Sequence, residues 1–158
     1  MALTDLLHYA SQPVTLEPRE TEQGKELKPS GLWVSVGSAW LDWCRDEEFR
    51  TDLTWYEHKV TVAAGASILI LASALDLDDF SAEFGSPISP GFDSVHIDWG
   101  RVAGKYGGIV IAPYQWSRRL DLLWYYGWDC ASGCIWNTEH VSLGEAVEID
   151  PGPGESNG

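Results

Sequence analysis

Positive charge is scarce in this chain of 158 residues. Lys and Arg together number 10 against 24 Asp and Glu, a formal net charge of −14. That scarcity excludes a general electrostatic grip on DNA or RNA, which depends on clusters of Lys and Arg. It also argues against an anionic membrane surface as partner. Cysteine is sparse too. Cys44, Cys130 and Cys134 are odd in number, too few for a disulfide scaffold, and form no Cys-x-x-Cys pair. Cys130 and Cys134 offer two thiolates where zinc needs three or four ligands. None of His8, His58, His96 and His140 stands at ligand spacing with another, so no metal is expected. Residues 1–10 lack both a basic region and an apolar run of signal length. The longest apolar stretch, 63–75, is broken by Gly65 and Ser67 and is too short to span a bilayer. The expectation is a soluble, cytoplasmic protein. The phosphate loop, the Gly-x-Ser-x-Gly elbow and the His-Glu-x-x-His pair are also missing.

What the chain has is tryptophan, nine residues, alongside a hydrophobic share of 44% that is ample for a globular core. A small domain uses that many indoles for a dense core or for a surface that stacks on flat ligands. Composition alone does not choose.

Patterning predicts a single globular domain over 1–148 and a Pro/Gly-rich, disordered tail over 149–158. Expected strands are 6–9, 31–36, 54–62, 67–71, 107–113 and 133–136, with 54–62 and 67–71 as pairing neighbours. Expected helices are 38–50 with Ser38 as N-cap, 75–84, 97–105 with Asp98 in its first turn, and 117–126. Residues 15–29 and 85–91 read as loops. Mixed strands and short helices without regular βαβ alternation point to an α+β fold with a split or curved, mainly antiparallel sheet.

Three segments stand out. His8 ends the first apolar strand and is followed by Tyr9 and Ser11. In GLWVSVGSAWLDWC, 31–44, a strand carrying Trp33 and Ser35 leads into a helix carrying Trp40 and Trp43; Trp33 and Trp43 would flank a flat ring, or the stripe is core packing. In YYGWDCASGCIWN, 125–137, Asp129 and Ser132 precede a strand. A carboxylate in such an aromatic setting suits acid–base work, or it caps a turn.

In this order, the segments resemble the ADP-ribosyltransferase superfamily, in the branch of poly-ADP-ribose polymerases and diphtheria-type toxins. That branch has a short strand with His, then a strand of the form Gly-Ile-Tyr-Phe-Ala, a helix ending in Tyr-Cys, and a late strand bearing Glu. Here LLHYAS carries His8, GLWVS carries Gly31 and Trp33, the helix ends Trp43-Cys44, and SGCIWNTEHV supplies the late strand from Ser132. Trp33 stands for the family Tyr, Tyr9 for a Gly, and Ser132 for the Glu.

The resemblance implies an ADP-ribosyltransferase-like fold and NAD as substrate. It implies cleavage of the nicotinamide–ribose bond and transfer of a single ADP-ribose to an acceptor; the acidity of the chain favours a protein or small molecule over nucleic acid in that role. It assigns NAD binding to His8, Tyr9, Ser11, Gly31, Trp33, Ser35 and Trp43, and catalysis to His8, Asp129 and Ser132. His8 would hold a ribose hydroxyl. The backbone of Tyr9 or Gly31 would meet the carboxamide, Trp33 and Trp43 would sandwich the nicotinamide, and Asp129 or Ser132 would polarise the ribose. Arg118 and Arg119 are candidates for the pyrophosphate. Two other readings stay open: an aromatic pocket that binds a nucleotide without breaking a bond, and an acidic interaction protein that mimics nucleic acid.

Overall fold

The computed structural model describes residues 3–50, 53–87 and 95–150. Among these described residues, ten strands and four short α-helices form a mixed α/β architecture around one mostly antiparallel eight-stranded sheet. The strands are β1 (Leu6–Ala10), β2 (Leu32–Val36), β3 (Trp55–Val62), β4 (Ile68–Leu71), β5 (Gly85–Pro87), β6 (Val95–Ile97), β7 (Gly108–Ile111), β8 (Ser132–Ile135), β9 (Val141–Leu143) and β10 (Val147–Ile149). The helices are α1 (Ala39–Asp46), α2 (Ala74–Phe84), α3 (Trp99–Ala103) and α4 (Leu123–Tyr126). Sheet order is β10-β3-β1-β2-β8-β7-β4, with β9 also on β3; β5 and β6 make a separate pair.

Strand alternation gives the large sheet two faces. Ile109, Ile111 and Cys134 on one face join the main core with Leu77, Phe80, Trp99, Trp124 and Trp136 of the helices and loops. Leu6, Val34, Val60 and Ile135 centre a smaller core on the other. The tryptophans therefore divide. Trp99, Trp124, Trp128 and Trp136 are fully buried, while Trp116 is 71% exposed. Glycine is required where β8 meets its neighbours: a Cβ on Gly133 would collide with the Ile109 carbonyl.

Several expectations need correction. β3 and β4 are not neighbours: β3 pairs with β1, β9 and β10, and β4 pairs in parallel with β7. The helices between β4 and β7 form the long crossover that a parallel pair requires. The helix expected over 117–126 is broken into a 3₁₀ turn, Trp116–Arg118, and α4, because Leu122 between them is extended. The loop expected from residue 85 starts with strand β5, and 97–105 is shortened to α3 with Asp98 as its N-cap, accepting from the Arg101 N–H at 3.2 Å. Ile149 belongs to β10 rather than to a tail. Residues 88–91 and 151–158 lie outside the described residues.

Candidate aromatic site

β1 and β2 pair at only two positions, Leu6 with Val36 and Leu7 with Ser35. Beyond them the strands part, and the side chain of His8 takes over: its Nδ1–H donates to the Trp33 carbonyl at 2.6 Å, which fixes the tautomer. On the helical side of this gap lies a cavity of about 260 Å³. Its walls come from β1 (Tyr9), β2 (Trp33, Val34, Ser35), α1 (Trp40), β3 (Trp55), the loop before β8 (Gly127 to Cys130) and Ser132, with Lys28 at the rim.

The walls are held by contacts within neighbouring segments and by others between residues far apart in the chain. Ser35 is the strut between β2 and α1. Its buried hydroxyl donates to the Gly37 carbonyl at 2.8 Å and accepts from the Trp40 N–H at 3.0 Å. Ser38, expected to cap the helix, makes no cap bond and instead donates to Asp42 Oδ2; Ser35 satisfies the helix's free N–H from the strand. Trp40 stacks on Trp43 at a centroid distance of 5.2 Å and 15° between planes. Trp33 packs edge-on against Trp128 at 4.9 Å, and the Lys28 ammonium lies 4.7 Å from the Trp33 ring centre.

The 127–130 loop is tied at every residue. Lys28 Nζ donates to the Gly127 carbonyl at 2.9 Å, Tyr114 OH donates to the Trp128 carbonyl, Arg119 pairs with Asp129 at 3.5 Å, and Ser132 Oγ donates to the Cys130 carbonyl at 2.9 Å. On the far wall Tyr9 OH donates to Glu57 Oε2 at 2.7 Å. Burial and the Glu57 carboxylate hold that phenol well above its ordinary range, so it stays protonated. Burial pushes the Cys44 and Cys130 thiols up to about 11 and raises Cys134 as well. None of the three is a thiolate nucleophile at neutral pH. Among the described residues, no group of three or more His, Cys, Asp or Glu is placed to hold a metal ion, and no helix is long and apolar enough to cross a membrane.

The cavity thus brings together Tyr9, Trp33, Ser35, Asp129 and Ser132 from the sequence-derived set. It does not gather the rest. His8 is outside the lining, because the residue next to Tyr9 on a strand faces the other side; burial, with a smaller effect of His58, lowers its pKa. Ser11 is exposed. Gly31 lines a separate cavity and serves a close approach of β2 to β8, where a Cβ would stand 2.6 Å from the Ile135 carbonyl. Trp43 lines the neighbouring cleft, so Trp40 rather than Trp43 shares the cavity with Trp33. Arg118 is committed to Asp78 through two bonds of 2.8 Å. Arg119 lines the cleft and is held by Tyr114 and Asp129.

No family model, curated protein or solved structure matches this chain. The site's chemistry rests on its own geometry. Sequence reasoning missed Trp40, Trp55, Trp128 and Lys28 as lining residues. Trp40 lay inside the motif already singled out; Trp55 and Lys28 come from segments that carry no motif and meet the site only through the fold.

Proposed function

We propose that the aromatic cavity takes the nicotinamide end of NAD and that the protein transfers a single ADP-ribose to an acceptor, on an ADP-ribosyltransferase-like fold. One observation carries this reading. The three segments that resemble the family are up to about 120 residues apart, yet β1, β2 and β8 are consecutive in the sheet and all three, with α1, contribute walls to one cavity. The size supports a ring rather than a whole dinucleotide, since pockets that enclose drug-sized ligands run from ~300 to 1,000 Å³. The remainder would lie across the rim, where Lys28 offers a cation to the phosphates.

In the transfer, the bond between the nicotinamide nitrogen and ribose C1′ breaks. Nicotinamide leaves with the bonding pair, positive charge develops on the ribose, and an acceptor lone pair closes on C1′ as the acceptor loses its proton. Trp33 and Trp40 offer indole faces to the cationic ring and keep water from it. Asp129 is the cavity's carboxylate and on this reading would oppose the developing positive charge. Ser132 carries no charge, and its hydroxyl is already spent on Cys130. Tyr9, tied to Glu57, forms a fixed wall.

That same feature of Ser132, with Arg119 offsetting Asp129, favours a second reading: reversible nucleotide binding without bond cleavage. Incubation with NAD and assay of free nicotinamide separates the two. Transfer predicts time-dependent release that falls about 100-fold in Asp129→Asn while NAD binding persists. Binding without release selects the second reading. Absence of NAD binding removes the transferase reading, and absence of ADP-ribose and other nucleotide binding removes the second.

A further inference from the structure

We propose that the cleft beside the aromatic cavity, together with the apolar stripe at its edge, docks a polypeptide segment bearing both basic and apolar side chains. Under the transferase reading, on which this second step rests, that segment presents the acceptor.

The cleft has a volume of about 520 Å³ and lies between α1 and the 114–119 segment. It shares Asp129 and Cys130 with the cavity, so a group seated in it adjoins the site of bond cleavage. Among the described residues, Asp42, Asp46, Glu47 and Asp129 line it against one cation, Arg119. That guanidinium is already engaged, with Asp129 at 3.5 Å and the Tyr114 hydroxyl at 2.8 Å. Carboxylates thus outnumber cations in this lining, and the indoles of Trp43 and Trp116 add ring faces that attract cations.

The edge is apolar. Trp116, Leu120, Leu123 and Tyr126 are 71%, 82%, 40% and 53% exposed. They are four of the nine large hydrophobic side chains exposed among the described residues, gathered in eleven consecutive positions. Two ring contacts join the stripe to the cleft: Trp116 packs edge-on against Tyr114 at 4.7 Å, and the Arg119 guanidinium lies 5.2 Å from the Tyr126 ring centre. Exposed apolar residues scattered singly are ordinary, but four large ones within one short segment beside a cleft offer apolar surface for a partner to cover. Charge selects the occupant. A second copy of a chain at −14 would bring like charge to this face, whereas a segment alternating basic and apolar residues complements both parts of it.

The test uses fluorescence anisotropy with three labelled peptides of equal length, built from Arg and Leu, from Arg and Ser, and from Glu and Leu. The Arg–Leu peptide is expected to bind at least about tenfold tighter than either other peptide. Trp116→Ala with Leu120→Ser, and separately Asp46→Asn with Glu47→Gln, should each weaken it about tenfold. Glu139→Gln with Glu145→Gln changes the charge equally outside the cleft and should leave affinity within about twofold. None of these residues lines the cavity, so the response to NAD should be unchanged in every variant. Equal binding of the Glu–Leu peptide would overturn the proposal, as would affinity that follows net charge alone. Self-association of the chain that Trp116→Ala abolishes would also overturn it, assigning the face to a second copy. Peptide binding with these dependences in a protein that ignores NAD would support the docking surface and remove the acceptor role with the transferase reading.

Discussion

Replacing Ser35 with alanine separates a strut from a ligand contact. The Ser35 hydroxyl spans two elements, donating to Gly37 and accepting from the Trp40 N–H. Alanine leaves both groups without that partner in a site where Ser35 is only 4% exposed. Each lost bond costs ~1 kcal/mol net, so the variant should lose about 2 kcal/mol. A domain of this size shifts by ~2–4 °C per kcal/mol, giving a fall in Tm of about 4–8 °C. Calorimetry reads the total, and hydrogen exchange reads the Trp40 amide directly; its protection should drop in the variant. NAD affinity should fall with it, because Trp40 loses its anchor. An unchanged Tm with the Trp40 amide still protected would refute the reasoning. Weakened NAD binding alone would then make Ser35 a ligand contact.

Three further outcomes follow from the same geometry. Burial depresses the His8 pKa, so the unfolded chain binds more protons there. Stability is then fullest above about 6.5 and falls as pH drops from there toward the lower folded value; denaturant titrations from pH 7.5 to 5 should show the decline, and His8→Gln should flatten it. Cys130 opens on both the cavity and the cleft, yet with its thiol near 11 alkylation by iodoacetamide at pH 7 should be far slower than for a free peptide thiol, and acceleration at pH 7 would contradict the assigned environment. Gly133→Ala forces a Cβ onto the Ile109 carbonyl and Val110, and a loss of about 3 kcal/mol or failure to fold is expected, read from soluble yield and thermal melting.

Much of the architecture is visible in the sequence because it is written in local terms. Alternation and turn residues mark β1, β2, β3, β4, β7 and β8, and Ser73 and Asp98 cap their helices as their types prefer. Pairing is less visible. Nothing in 54–71 says that β3 and β4 separate, since β4 finds its neighbour only after the helical crossover to β7. The site divides the same way. Trp33, Ser35 and Asp129 lie in motifs read along the chain. Trp55 and Lys28 reach the cavity through β3 and the 15–29 loop, whose arrival there is decided by the sheet order. Tyr9 and not His8 reaches the cavity because the face of a strand is set by its register, and β1 turns Tyr9 to that side. Trp40 and Trp43 are three residues apart on one short helix. Which of them turns inward depends on the Ser35 strut, a contact between a strand and a helix that neither pattern reveals.

The most direct test of the central claim is a thermal-shift titration with NAD on four proteins: the unaltered chain, Trp33→Ala, Trp40→Ala and Trp116→Ala. NAD at 100 times its dissociation constant should stabilise the unaltered chain and Trp116→Ala by about 2.7 kcal/mol. Trp33→Ala and Trp40→Ala, stripped of a cavity wall, should respond little. Absence of any response to millimolar NAD in the unaltered chain, or equal responses in all four proteins, would contradict an aromatic cavity built for the nicotinamide ring.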